Sequence, residues 1–301
     1  MRELVLSVLL GLPGPTPVLE AQDEGGFTLA VDVDFVVFNV TVTDERGRLV
    51  GGLEPEDFRV SEDGVPQKIS LFRPEDAPAT VGLIIDSSGS MRERRADVAE
   101  AALAFVGASN PENEIFVVTF NENVFVKPPD SDTYLSNLIQ VRAALERAAP
   151  DGMTALYDAV AAGLEYLTDA GGDRNALVVL SDGGDNASRR VLGEILDMEL
   201  RSSATVYTIG IYDDYNMDRN PGVLRQIAGL TGGHAYFPDS ADDLEEIWRD
   251  IAAGIRAQYT IGYHSTNPAH DGGFRSVRIS AARDGKIFSV RTREGYEAHD
   301  D

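Results

Sequence analysis

The sequence predicts an α/β fold: a doubly wound, mostly parallel sheet, flanked by or inserted into a small antiparallel β-sandwich. Three observations carry this prediction. Unbroken apolar runs, such as residues 81–85 and 176–180, alternate with helical periodicity between residues 80 and 257. Such runs suit strands buried on both faces, as in a parallel sheet covered by helices. Outside that stretch, residues 27–73 and 258–293 change to two-residue alternation punctuated by turn residues, the pattern of strands with one wet face. The third observation is size: 301 residues, 43% hydrophobic and 25% charged, leave room for one medium domain and a smaller one.

Taken in order, the chain opens with Arg2 and an apolar run over residues 4–12, broken by Pro13-Gly14-Pro15, with Ala21-Gln22 as a candidate cut. Glu3 dilutes the positive end, and Leu19 is larger than the residue preferred before a cut. The layout is that of a secretory signal peptide over residues 1–21, and it implies a secreted or periplasmic protein. The run is shorter than the roughly 20 apolar residues of a membrane span, and no other segment is long and apolar enough to cross a bilayer.

Residues 22–26 read as a linker, and residues 27–78 as the first part of the β-sandwich. Val31, Val33, Phe35 and Val37 share one face of a strand, and Val40 and Val42 follow on the other. Asp44-Glu45-Arg46-Gly47 is a turn, residues 53–58 a short turn or helical bridge, and residues 67–72 a further strand.

Residues 79–257 form the α/β domain. Strands are predicted at 81–85, 114–120, 123–127, 175–181, 205–211 and 235–237, with helices at 98–106, 135–148, 154–168, 192–200 and 222–230. The clearest helix spans 240–257, where Leu244, Ile247, Trp248, Ile251 and Ile255 make one apolar stripe. Ser240 stands at its N-cap, with Asp242, Asp243, Glu245 and Glu246 over the positive end of the dipole. Strands at 258–264, 274–281 and 286–293 supply the second part of the sandwich, residues 258–298. Three tail strands alone bury little, so one sandwich split in sequence is the economical reading.

Charge and composition then exclude several functions. Asp and Glu number 50 against 26 Lys and Arg, a formal charge of −24. That charge repels nucleic-acid phosphates and anionic lipid head groups. The absence of cysteine excludes disulfides, a thiolate zinc site and a cysteine nucleophile.

The chemistry gathers at strand ends. Strand 81–85 runs into Asp86-Ser87-Ser88-Gly89-Ser90, where a carboxylate and hydroxyls at alternate positions can point one way, with Gly89 expected to let the loop bend. Strand 175–181 runs into Asp182-Gly183-Gly184-Asp185, and Asp151-Gly152-Met153-Thr154 opens a helix between them. In an open α/β sheet, ligands bind beyond the carboxyl ends of the strands. Asp86, Ser88, Ser90, Thr154 and Asp182 offer two carboxylates and three hydroxyls, hard oxygen ligands suited to Mg²⁺ and acceptable to Mn²⁺ or Ca²⁺.

This arrangement resembles the metal-ion-dependent adhesion site (MIDAS) of von Willebrand factor A domains, over residues 79–257. The flanking segments, with Gly-Leu-Glu-Pro-Glu-Asp-Phe at 52–58 and Ser-Glu-Asp-Gly at 61–64, resemble bacterial exported proteins of the VWFA-related group. The resemblance implies that Asp86, Ser88 and Ser90 hold the ion directly or through water. Thr154 and Asp182 would complete the site, and an open coordination position would accept a carboxylate from a protein partner. It also makes helix 240–257, which feeds directly into the second β segment, the element expected to move. The alternative is an assembly or scaffold component whose metal only staples the fold. Nothing indicates an oligomeric state.

Other candidates rank lower. His234, His264, His270 and His299 lie at no zinc-ligand spacing. Ser87 and Ser88 lack a nucleophile elbow and a nearby His, so no enzyme is expected. Asp185 reads as a solvated loop acid, with an outer partner of the metal as the other reading.

Overall fold

The structure, a computed structural model, describes residues 35–127, 134–147, 151–212 and 219–299. The leader and linker expected at residues 1–26 lie outside them. The chain first lays down β1 (Phe35–Thr43), β2 (Phe58–Glu62), β3 (Val65–Gln67) and β4 (Ile69–Arg73). A 3-10 turn at Pro55–Asp57 makes the expected bridge into β2. After the α/β region come β11 (Tyr259–His264), β12 (Phe274–Arg283), β13 (Lys286–Arg291) and β14 (Gly295–Glu297).

Strands from both flanks interleave in one eight-stranded sheet, ordered β3-β2-β12-β13-β1-β11-β4, with β14 paired to β12. The expected sandwich of two sheets is therefore corrected to one continuous antiparallel sheet. The cause lies in β1, whose residues 35–40 pair with β11 and residues 41–43 with β13. One strand serves both halves, so the ladder is not broken into two. The sheet encloses a single apolar core that includes Phe38, Val40, Phe58, Val60, Tyr259, Ile261 and Tyr263.

The two flanking sequence motifs build this lobe. The Leu53 N–H donates to the Tyr259 hydroxyl at 3.1 Å, and Asp57 pairs with Arg283 at 2.5 Å. Glu62 is buried and accepts from Tyr263 (2.8 Å), Ser265 (2.6 Å) and Tyr296 (3.0 Å). A buried carboxylate needs such donors.

Between the flanks run β5 (Thr80–Asp86), α1 (Arg95–Ala108), β6 (Glu114–Phe120), β7 (Val124–Lys127), α2 (Tyr134–Arg147), α3 (Leu156–Ala170) and β8 (Asn175–Ser181). Then follow α4 (Leu192–Arg201), β9 (Thr205–Gly210), α5 (Pro221–Leu230), β10 (Ala235–Tyr236) and α6 (Ala241–Arg256). The six-stranded sheet is ordered β10-β9-β8-β5-β6-β7, parallel except for β7. Val81, Leu83 and Ile85 face one core with α1, α2 and α6, while Ile84 faces the other with α3, α4 and α5. The sheet is thus covered on both sides, as the unbroken apolar runs require. Among the described residues, no helix is long and apolar enough to cross a membrane.

Helix α6 is fixed at both ends. Its N-cap Ser240 accepts from the Asp243 N–H at 3.2 Å, and Trp248 packs edge-on against Phe105 in the core. At the other end buried Arg174, which immediately precedes β8, donates to the carbonyls of Ile255 and Arg256. The Asp76 carboxylate pairs with Arg256 at 2.8 Å, and the Asp76 N–H donates to the Arg256 carbonyl. Only Ala257 and Gln258 separate α6 from β11, a strand paired on both edges. A second buried arginine, Arg293, reaches from the β-lobe to the carbonyls of Leu200 and Ser202 at the end of α4, and stacks on Phe38.

Candidate metal centre

Strands β5 and β8 lie side by side and parallel at the centre of the sheet. From β5 the chain goes to β6 on one side, and later reaches β8 on the other. The strand order therefore reverses between β5 and β8, which opens a crevice at their carboxyl ends. Asp86 is the last residue of β5, and Asp182 directly follows β8.

Asp86 is 3% exposed. Its Oδ1 accepts from the Ser88 N–H at 2.8 Å, and its Oδ2 from the Ser181 hydroxyl at 2.7 Å. Burial raises its pKa to about 6; hydrogen bonds from Ser88 and Ser181 oppose the rise, and the nearby Asp182 charge adds to it. Among the described residues no Lys or Arg forms an ion pair with Asp86. This carboxylate has hydrogen bonds but no counter-charge.

Ser88 is buried, and its hydroxyl lies 3.0 Å from that of the exposed Ser90. Asp182 is buried, and its Oδ1 accepts from the Gly184 N–H at 3.0 Å. Thr154 is buried too, two residues ahead of α3 rather than within the helix as expected. Backbone bonds hold the three loops together. The Gly89 N–H donates to the Gly152 carbonyl at 3.2 Å, and the Asp151 N–H to the Ser87 carbonyl at 3.2 Å. The Thr154 carbonyl accepts from Asn186 and Ala187. The five expected residues thus come from three loops that are bonded to one another at one end of the sheet.

The glycine that the loops need is not the one expected. Gly89 has no left-handed backbone, and a Cβ there would meet the Gly152 carbonyl at an ordinary 3.6 Å. Gly152, by contrast, has φ +84°, and a Cβ there would collide with the Glu122 carboxylate. That carboxylate accepts from the Met153 N–H at 3.0 Å.

The donor set is two carboxylates and three hydroxyls, with a buried carboxylate that lacks a counter-ion. This chemistry fits a hard divalent cation. No group of three or more His, Cys, Asp or Glu able to hold a metal occurs among the described residues, so a site here must draw on hydroxyl oxygens. The histidines lie elsewhere: His234 packs edge-on to Tyr236, and His264 faces the Ser70 hydroxyl. Sequence reasoning missed Ser181. It closes a strand in the sequence pattern, and only the pairing of β8 with β5 places it against Asp86.

Comparison with known proteins agrees with the fold of the α/β region. Residues 81–184 match the von Willebrand factor type A domain family. A solved von Willebrand factor type A protein from Catenulispora acidiphila superposes with TM-score 0.54 at 17% identity, covering 89% of this chain and 74% of that one. Proximal thread matrix protein 1 from the mussel byssus, solved with a zinc-occupied MIDAS motif, gives TM-score 0.53 at 15% identity over 65% of this chain and 50% of its own. An aerotolerance-related membrane protein from Bacteroides fragilis gives TM-score 0.48 at 18% identity over 60% of this chain and 98% of its own. No curated protein matches the sequence.

Proposed function

We propose that the von Willebrand factor type A domain of this chain is a metal-dependent protein-binding module. Asp86, Ser88, Ser90, Thr154 and Asp182 would hold one divalent cation, Mg²⁺ by the hardness of its oxygen donors, with Mn²⁺ or Ca²⁺ as substitutes. The ion supplies a Lewis-acidic position for a carboxylate oxygen of a protein partner. The observation that carries the reading is Asp86: a buried carboxylate at the strand-order reversal, bonded by Ser88 and Ser181, with no cationic side chain paired to it among the described residues. The zinc-occupied MIDAS of the mussel byssus protein shows that this fold can carry such an ion.

The chain's own residues prepare the site. Ser181 and the Ser88 N–H fix both oxygens of Asp86, while Gly184 orients Asp182. Ser90 is the exposed member and marks the side from which a partner would arrive. The reading includes no catalysis. It places the protein outside the cytoplasm, on the strength of the leader-like residues 1–21.

One observation favours a second reading. Asp86, Ser88 and Asp182 are nearly inaccessible, as suits an ion that only staples β5 to β8. Capture from native extract, with and without EDTA, using wild type and Asp86→Ala, separates the two. A partner retained by wild type, released by EDTA and not retained by the variant supports the binding module. A partner retained equally by both, together with a large fall in the variant's melting temperature in Mg²⁺, supports the staple.

A further inference from the structure

We propose that Asp185, Asn186 and Ser188 are positioning residues that hold Thr154 to the loop leaving β8 through Asp182, so that the metal site is assembled before the ion arrives. The proposal rests on the metal reading above and adds residues to it. Its starting point is the N-terminus of α3. A helix leaves its first amides without intrahelical partners, and the N-cap here is Ala155, whose side chain makes no capping bond. Buried orphan amides are costly, so the acceptors must come from elsewhere.

They come from the loop after β8. The Thr154 N–H donates to Asn186 Oδ1 at 2.8 Å, Tyr157 to Asp185 Oδ1 at 3.3 Å, and Asp158 to the Ser188 hydroxyl at 3.1 Å. Ser188 in turn donates to Asp185 Oδ1 at 2.6 Å. The grip is reciprocal. The Thr154 carbonyl accepts from the Asn186 and Ala187 N–H groups, and the Asp158 carboxylate from those of Arg189 and Arg190 at 3.0 and 3.1 Å. The negative charge of Asp185 also faces the positive end of the helix dipole.

The loop that caps α3 is therefore the loop that leaves β8 through Asp182. Thr154 is bonded directly to this loop, and Asp182 stands three residues ahead of its first capping residue, so a shift of Thr154 away from the loop breaks the cap. Asp185 accepts from the Tyr157 N–H and the Ser188 hydroxyl, and so acts on Thr154 through the start of α3. Loss of groups that orient metal ligands commonly weakens metal affinity by about 10- to 100-fold.

The test uses the whole chain, with Mg²⁺ titrated calorimetrically into wild type, Asp185→Ala, Asp185→Asn, Asp86→Ala and Ser240→Ala. The last removes a helix cap of similar strength from α6, away from Thr154. Amide exchange at Thr154 and Tyr157 is followed in the metal-free proteins. The expected result is Mg²⁺ affinity about tenfold or more weaker in Asp185→Ala, restored within threefold in Asp185→Asn, which keeps the acceptor, and unchanged in Ser240→Ala. Exchange at Thr154 and Tyr157 should be faster in metal-free Asp185→Ala than in metal-free wild type. Wild-type affinity in Asp185→Ala, with faster exchange at those amides, would reduce Asp185 to a stabilising cap and overturn the proposal. If Asp185→Ala does not fold, Asn186→Ala is judged by the same affinity criterion. Equal Mg²⁺ binding by wild type and Asp86→Ala would be a different failure, that of the metal reading itself, and would take the proposal with it.

Discussion

Asp86 concentrates the tension in the site. A carboxylate whose folded pKa lies above its ordinary value binds its proton more tightly in the folded state. Its ionisation therefore removes stability as pH rises from 3.8 through about 6. At pH 7.5 and without metal this penalty is at most about 3 kcal/mol, from roughly 1.4 kcal/mol per unit. Asp86→Asn should then melt higher than metal-free wild type at pH 7.5, match it near pH 4, and gain nothing from Mg²⁺. Wild type should gain from Mg²⁺, with a gain that fades as pH falls below about 6. Thermal melts at these pH values, with EDTA or Mg²⁺, check both halves.

Glu199 gives a case of the same sign away from the site. It is buried on α4, both carboxylate oxygens lack hydrogen-bond partners, and burial raises its pKa well above the ordinary value. Stability is lost as pH rises above 4.5 toward that raised pKa. Glu199→Met should therefore melt a few degrees higher than wild type at pH 8, at roughly 2–4 °C per kcal/mol, and show a smaller gain at pH 4.5. The five ligand candidates were legible because each follows an apolar run or opens a helix. Ser181 was not, and Asp185 reads from the sequence first as a solvated loop acid. Their importance depends on which strand neighbours β8 and on which loop meets α3, and neither is encoded locally.

At the scale of elements, α6 shows what sequence pattern reaches and where it stops. Of its predicted stripe, Leu244, Trp248, Ile251 and Ile255 are buried and Ile247 is half-buried at the edge of the core. Family resemblance makes the same helix the moving part, and its surroundings oppose a slide. A shift by one turn would break the Arg174 contacts with Ile255 and Arg256 and the Asp76 pair with Arg256. It would also displace β11 from its register against β1 and β4. Amide exchange over residues 250–264 should therefore be equally slow with and without Mg²⁺. A metal-dependent loss of protection there would restore the sliding helix. Arg174→Met should cost about 3–6 kcal/mol, since it loses two hydrogen bonds from a charged group at about 1.5–3 kcal/mol each, measured by urea unfolding. Helix and strand positions were readable because burial on two faces, on one face or on one stripe leaves different periods. The β3 and β14 strands were missed because three residues are too short to show a period.

For the whole molecule, the sequence implied two β segments in one lobe, and the structure joins them more closely than a sandwich would. Neither flank can complete the core alone, because Phe38 and Phe58 come from one and Tyr259 and Tyr263 from the other. Arg293 then ties that lobe to the end of α4. The single tryptophan, Trp248, reports on the α/β core. Arg293→Met, although made in the β-lobe, should lower the unfolding midpoint seen by Trp248 fluorescence together with that seen by circular dichroism. Separate midpoints for the two signals would show that the lobes unfold independently. The curled sheet itself was not legible. Alternation tells which residues face inward, but not that one strand divides its length between two partners.

The most direct test of the metal reading is an anomalous difference map from a crystal grown in Mn²⁺. The expected result is one strong peak bounded by the set Asp86, Ser88, Ser90, Thr154 and Asp182, about 2.1 Å from those of its oxygens that touch the ion directly, and absent in Asp86→Ala. A map with no peak between β5 and β8 at saturating Mn²⁺, or with its peak at another acidic cluster, would contradict it.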